Sequence, residues 1–415
     1  MSSSSFLLTS VRFISSQGLA NVLRLVSGLL VVRMLDPLQY GLYTGMGVYL
    51  NYILLSQFGV LNGFAREFPF LMGKAKIAES ERLLASAFTI TALISIVSGI
   101  SFVLLAIHYF VNDNNSEGIV AFGYVVIAAV HLLNKKFLRS MYITNVDFRN
   151  LSRISLYIGL VNVVSVLLVY VFGFYGLIAR GVLLAVYESG LLFRYLTYEF
   201  SVSFDLSPII RMLKIGWPIF INGQIPAITL TIISTLLFTH AGAEEFGLYS
   251  LASTFFAAIS ILPASFGQII FPRLSKLYGE NVNVKEIVLQ NLHSVFFQLL
   301  LTAVACLIFY IILPLLIREY LPKYVGAIQC ARWLVIVAAL QSLGAFNSIF
   351  NVMDYRFLLS LMLLTGAVIN IAFIYTNSQS FSLISADLVA QGMAIGMLVQ
   401  NMLGVLGLVW IIRAN

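Results

Sequence analysis

Tyr40-Gly41-Leu42-Tyr43 recurs as Phe246-Gly247-Leu248-Tyr249, an offset of 206 residues. Phe68-Pro69 recurs as Phe271-Pro272, an offset of 203. The first motif opens an apolar stretch and the second closes it, and both copies then enter a loop rich in Lys, Gly and Glu. Both offsets are about half of the 415-residue chain, so the halves read as one unit written twice.

Around these motifs, 60% of the residues are apolar and 10% are charged, against roughly 25% charged in an average soluble domain. The mean hydropathy is +0.96. A soluble chain could not hide so much apolar surface. A cytoplasmic enzyme, a secreted domain and a disordered chain are therefore excluded. So is a disulfide scaffold, since Cys306 and Cys330 are the two cysteines and read as packing residues. An all-α integral membrane protein is expected. Twelve apolar segments are read, at 10–33, 40–64, 83–111, 118–138, 151–173, 175–197, 209–238, 246–271, 287–317, 325–350, 356–376 and 383–412. Asp36-Pro37, Asn112 to Glu117, Gly173 and Ser207-Pro208 are among the breaks. Pro218 and Pro226 predict a kink in the seventh segment. The predicted architecture is two six-helix bundles, residues 1–205 and 206–415. Six is even, so the bundles share one orientation and are related by a pseudo-two-fold axis along the membrane normal. The loops leave no room for an extramembrane domain, and no cleavable signal is expected before the first span.

The net charge of +7 matters less than its distribution. Of 24 Lys and Arg residues, 18 fall on one side of the predicted topology, Lys135, Arg139 and the basic residues of a loop at 65–82 among them. The other side has Arg33, Arg318 and Lys323, and Arg24, Arg180 and Arg332 lie within spans. This bias places both termini in the cytoplasm. The basic excess is thus a topology signal and a contact for bilayer lipids, with no nucleic-acid site implied.

Charges inside the spans point to chemistry. Ser10, Asn21, Arg24 and Gly28 fall within about 40° of Gln17 around a helix, one polar stripe on an otherwise apolar face. Arg24 lies about 20 Å along that helix, too deep to reach water cheaply. It is either a structural Arg tied to carbonyls or an anion-binding group lining a cavity. Arg180 and Arg332 are further candidate substrate contacts. Glu188 and Asp387 are candidates for a coupling carboxylate or for the partner of an Arg. The run Asn222, Gln224, Thr229 and Thr231 suits a helix facing a cavity, or one hydrogen-bonded within the bundle. His108, His131, His240 and His293 show no ligand spacing, and no phosphate-binding loop occurs. Neither a metal, a cofactor nor an enzyme activity is expected.

Arg33-Met34-Leu35-Asp36-Pro37-Leu38-Gln39-Tyr40-Gly41-Leu42-Tyr43, then Gly63-Phe64-Ala65-Arg66-Glu67-Phe68-Pro69, with echoes at Phe246 to Tyr249 and Phe271-Pro272-Arg273, carry a resemblance. The chain resembles the Wzx-type polysaccharide repeat-unit flippases, of the superfamily that includes the MATE exporters. The resemblance implies a MATE-like fold and export of undecaprenyl-pyrophosphate-linked oligosaccharide, the O-antigen repeat unit, across the bacterial inner membrane. It also implies a repeat-unit polymerase and a chain-length regulator as neighbours in the pathway. Arg binds phosphate oxygens in a planar, bidentate fashion, which makes Arg24 the first candidate for the headgroup. A MATE-like exporter of organic cations is the alternative, and a membrane enzyme of polysaccharide assembly a third reading. The first would want carboxylates dominating the cavity, the second a large outer loop or a catalytic His.

Overall fold

The computed structural model describes residues 3–145, 147–196, 198, 200–279, 284–344, 349–350 and 355–414. The side chains of residues 3–14, 222, 264–265, 267–279, 284–294, 356, 412 and 414 lie outside the described set, and with them the expected roles of Ser10, Arg12, Asn222, Phe271, Pro272 and Arg273.

All regular structure among the described residues is helical. In chain order come α1 (Ser3–Met34), α2 (Pro37–Leu55), α3 (Val60–Gly73), α4 (Ile77–Val111) and α5 (Asn115–Leu132). A π-helical stretch, Leu133–Leu138, leads into α6 (Arg139–Thr144), α7 (Phe148–Val164) and α8 (Val166–Arg194). Then follow α9 (Leu206–His240), α10 (Gly242–Gly279), α11 (Val284–Tyr320), α12 (Ala327–Leu343), α13 (Arg356–Asn377) and α14 (Ala386–Ala414). Nine candidate spans among the described residues are long and apolar enough to cross a bilayer, and α12 is a shorter apolar helix. Joining α2 with α3, and α5 with α6, dividing α8 at Gly173 and counting its first part with α7 gives twelve passes among the described residues.

The helices are inside out relative to soluble ones. Leu93, Ile96, Val97, Ile100, Leu104 and Ile107 are exposed on α4, while Ser86, Thr89, Thr91, Ser95 and Ser98 are buried. Apolar residues face outward because lipid, not water, is the solvent. The inward hydroxyls bond to their own helix, Thr89 Oγ1 donating to the Ala85 carbonyl at 2.8 Å and Thr91 Oγ1 to that of Ala87 at 2.6 Å. This is a multi-pass membrane protein.

The chain forms two compact units. One comprises Met1–Leu35 and Leu42–Gln224, the other Asp36–Gly41 and Ile225–Asn415. Within the second, the glycines of the two sequence repeats meet. A Cβ on Gly41 would stand 1.7 Å from the Ala243 carbonyl oxygen, and one on Gly247 would stand 2.0 Å from that of Pro37. Each copy needs its glycine because the other copy's backbone occupies the space of a side chain.

Gly173 interrupts α8 with φ 55° and ψ −128°. The chain folds back there: a Cβ on Gly176 would lie 1.9 Å from the carbonyl oxygen of Leu168, eight residues earlier. The break expected at Gly173 is therefore a helical hairpin, in a backbone region that is essentially glycine's alone.

Two expectations need correction. The second span does not end at residue 64. It breaks at 56–59, where Phe58 and Gly59 take φ of 46° and 90°, and resumes as α3 to Gly73. Gln57, 2% exposed, makes that break tolerable by accepting from the Leu61 amide at 2.9 Å. The loop expected at 65–82 shrinks to the residues between Gly73 and Ile77. Glu67 had suggested a loop, but it is 7% exposed and paired with Arg211. Its charge is neutralised by α9 and not by water. Separately, α9 runs through Pro218 and Pro226 as one helix.

Gly41→Ala should lower the melting temperature of the detergent-purified protein, at a cost of about 1–3 kcal/mol for overpacking. Gly190→Ala, whose Cβ would meet nothing within 4 Å, should be neutral. Equal melting temperatures for the two variants would contradict the close crossing.

Candidate anion-binding site

The site lies in the first unit and is built by α1, the π-helical stretch, α6 and α8. On α1, Gln17 Nε2 donates to Ser155 Oγ on α7 at 2.8 Å, and Arg24 Nη1 donates to Asn21 Oδ1 at 3.3 Å. A Cβ on Gly159 of α7 would already be 3.1 Å from Leu23 and 3.2 Å from Ala20, so α1 is held close to α7. Arg24 lies about 15 Å along the helix axis from Met34, the last residue of α1.

The π-helical stretch redirects the chain before α6. Asn134, 2% exposed, donates to the Ala185 carbonyl at 3.2 Å and accepts from Ser189 Oγ at 3.0 Å. That clamp sets Lys135 and Arg139 opposite Glu188. Lys135 Nζ lies 3.0 Å from Glu188 Oε2, and Arg139 Nη2 lies 2.7 Å from Oε1. Arg139 Nε also donates to Oε1, at 3.3 Å. Such local departures from α-helix recur at functional sites because they re-aim side chains without breaking the helix.

Arg24 is within electrostatic range of Arg139 and Glu188, and Lys135 of Arg24 and Arg139. His131 is within range of Lys135 and Glu188. Lys135 and Arg139 thus pair with one carboxylate and Arg24 stands within electrostatic range of it, leaving two positive charges in excess. The side-chain exposures decide what this excess can do: 8% for Glu188, 20% for Arg139 and 44% for Lys135. The carboxylate is buried while Lys135 is accessible and Arg139 partly so. The arrangement can hold a multiply charged anion, because the guanidinium forks of Arg24 and Arg139 suit phosphate oxygens and Lys135 adds a point charge.

The other candidates lie elsewhere. Arg180 is consumed by the protein: its Nε donates to Ser165 Oγ at 3.1 Å and its Nη2 to Asn162 Oδ1 at 3.1 Å, the Asn162 carbonyl at 3.3 Å and Ser27 Oγ at 3.3 Å. It ties α1, α7 and α8 together across the Gly173 hairpin. Arg332 and Asp387 belong to the second unit. There Arg332 stacks over the Tyr310 ring at 5.2 Å, and Asp387 stands in the first turn of α14 beside Ala386, whose amide donates to Glu245 at 2.9 Å. Of the polar run on α9, Thr229 and Thr231 donate to the Ile225 and Ala227 carbonyls at 2.8 and 2.7 Å. Cys306 and Cys330 are free and buried.

Lys135 and Arg139 correct the sequence reading, which took them for loop charges. They lie inside the helical run Asn115–Thr144, and their partner is 49–53 residues away in sequence. The available signal was Glu188 itself, a carboxylate on an apolar span that requires cations from a neighbouring helix.

Comparison with known proteins gives the family and the fold. The profile of the family described as "Polysaccharide biosynthesis protein" matches residues 30–319, well over half of the chain. The chain belongs to that family. Its fold is shared with solved members of the MOP superfamily. An inward-facing multidrug resistance MATE family transporter is 15% identical with a TM-score of 0.73, over 96% of this chain and 95% of that one. The lipid II flippase MurJ in an inward closed conformation is 13% identical with a TM-score of 0.69, over 97% and 87%. A MOP superfamily transporter from Pyrococcus furiosus, described as having a binding pocket of reverse polarity, is 14% identical with a TM-score of 0.62, over 98% and 94%. No match is found among curated protein sequences. For this family member, as for the solved transporters, the helices form a MATE-like membrane fold.

Glu188→Gln removes the charge that two cations share and should destabilise the protein by about 3 kcal/mol. Adding Lys135→Met should recover part of that loss. Unfolding of the purified protein by SDS measures both, and an unaltered midpoint for Glu188→Gln would show the ion pairs to be idle.

Proposed function

We propose that this protein is a flippase that carries an undecaprenyl-pyrophosphate-linked oligosaccharide, an O-antigen repeat unit, from the cytoplasmic to the periplasmic leaflet of the bacterial inner membrane. The observation that carries this reading is the cluster of Arg24, Lys135 and Arg139 around the single carboxylate Glu188. A sugar headgroup cannot cross lipid unaided, because each buried hydroxyl without a partner costs a few kcal/mol. A pyrophosphate adds negative charge that only cations at membrane depth can balance. The cluster supplies them, and the isoprenoid tail stays in the bilayer.

In this reading the bundles at 1–205 and 206–415 expose the site alternately to the two sides. The excess of Lys and Arg on one side supports cytoplasmic termini. Arg24, with Gln17 and Asn21 on its face, contacts the pyrophosphate, and Glu188 keeps Lys135 and Arg139 in place until the ligand arrives. Export of organic cations fits poorly, since the charge excess here is positive. The chemistry needs no bond to be made or broken, so no enzymatic role is assigned. A repeat-unit polymerase and a chain-length regulator would act on the product.

Deleting the gene should remove the polymer ladder from surface lipopolysaccharide and leave single repeat units on the inner leaflet. In complemented cells, Arg24→Ala should abolish the ladder at normal membrane abundance. Arg24→Lys should restore part of it, because charge is kept while the planar fork is lost. A normal ladder per molecule of Arg24→Ala would defeat the assignment of Arg24.

A further inference from the structure

The second unit contains a cavity of about 180 Å³ between α9, α10, α12, α13 and α14. Its polar lining is Thr229, Gln341, Asn370 and Gln400, and none of the residues around it is ionisable. Gly366 and Gly396 fix its wall. A Cβ on Gly366 would lie 2.8 Å from the Gly396 carbonyl oxygen, and one on Gly396 would lie 2.5 Å from that of Gly366. The α13 and α14 backbones therefore touch, and the cavity cannot be closed by bringing them nearer.

Its polar atoms are left with hydrogen-bonding capacity. Asn370 is 6% exposed and its Oδ1 is buried without a partner. Buried acceptors are normally paired, and this one packs against Gly392 behind the cavity wall. Gln341 Oε1 accepts from Ser260 Oγ at 2.7 Å, which orients the amide and leaves its NH₂ to donate elsewhere. Thr229 Oγ1 spends its hydrogen on the Ile225 carbonyl, so it too can only accept. The Gln400 amide lies alongside Gly366, its Oε1 3.4 Å from where a Cβ would stand. Neutral donors and acceptors thus line one space.

We propose that this cavity is a hydroxyl-reading subsite that takes one sugar ring of the lipid-linked substrate. The proposal rests on the flippase reading and extends it to the second unit. Hydroxyl groups both donate and accept, which matches a lining of amides and a threonine. A phosphate would want cations there and a metal ion would want carboxylates. The volume equals that of about six waters in the liquid, and falls below the roughly 300 Å³ of a drug-sized pocket. It suits a single ring, with its C–H face on Met393 and Met397.

The test uses the full chain in nanodiscs and two radiolabelled lipids: bare polyprenyl pyrophosphate, and the same lipid carrying the host strain's own oligosaccharide. The wild type should bind the glycosylated lipid about tenfold more tightly. Asn370→Leu and Gln400→Met should each lose most of that gain while binding the bare lipid as before. Gln400→Met keeps the length of the side chain and gives a reading even if Asn370→Leu does not fold. No gain from the sugar in the wild type, or an undiminished gain in Gln400→Met, overturns the subsite while the flippase reading stands. A wild type that binds neither lipid defeats both. A sodium-dependent effect of Asn370→Leu that ignores the sugar would make the cavity a cation site and overturn the proposal.

Discussion

A carboxylate cannot be carried into a membrane alone, and Glu188 is carried there with two cations. Its ion pairs with Lys135 and Arg139 hold the π-helical stretch against α8. Removing Glu188 would leave both cations unpaired, so the three residues form one structural element. Arg24 approaches the same group from α1 without a carboxylate of its own. The fold therefore keeps positive charge in excess at membrane depth, which costs stability and is retained. An anionic ligand is the species that would repay it.

The second constraint is backbone proximity. The repeated motif brings Gly41 against Ala243 and Gly247 against Pro37, where no side chain fits. Packing of this kind replaces the hydrophobic effect as the force between helices in lipid. The same economy appears at Gly366 and Gly396, where two helices touch and a cavity remains beside them. The first unit thus holds a charged cluster and the second a cavity lined by neutral side chains.

How much of this was legible in the sequence depended on the range of the interaction. Apolar length and the breaks at Asp36-Pro37 and Gly173 are local patterns, and each reappears in the helices. The break at Phe58-Gly59 was not legible, because its support comes from the buried amide of Gln57 within an unbroken apolar run. Lys135 and Arg139 looked like loop charges because nothing near them in sequence showed that Glu188, on another helix, would receive them. Arg180 reads as a candidate ligand contact, and nothing in the sequence announces that its Nε and Nη2 donate to Ser165, Asn162 and Ser27. Local periodicity reveals helices and their faces, whereas the partner of a charge is set by tertiary contact.

The central claim is that the cationic cluster holds a lipid pyrophosphate. Native mass spectrometry addresses it most directly, using protein purified in mild detergent from a host that accumulates unpolymerised repeat units. The account predicts an adduct with the mass of one polyprenyl-pyrophosphate oligosaccharide, displaced by added inorganic pyrophosphate. Protein that carries only ordinary phospholipid, or that releases its adduct to an organic cation and not to pyrophosphate, would contradict it.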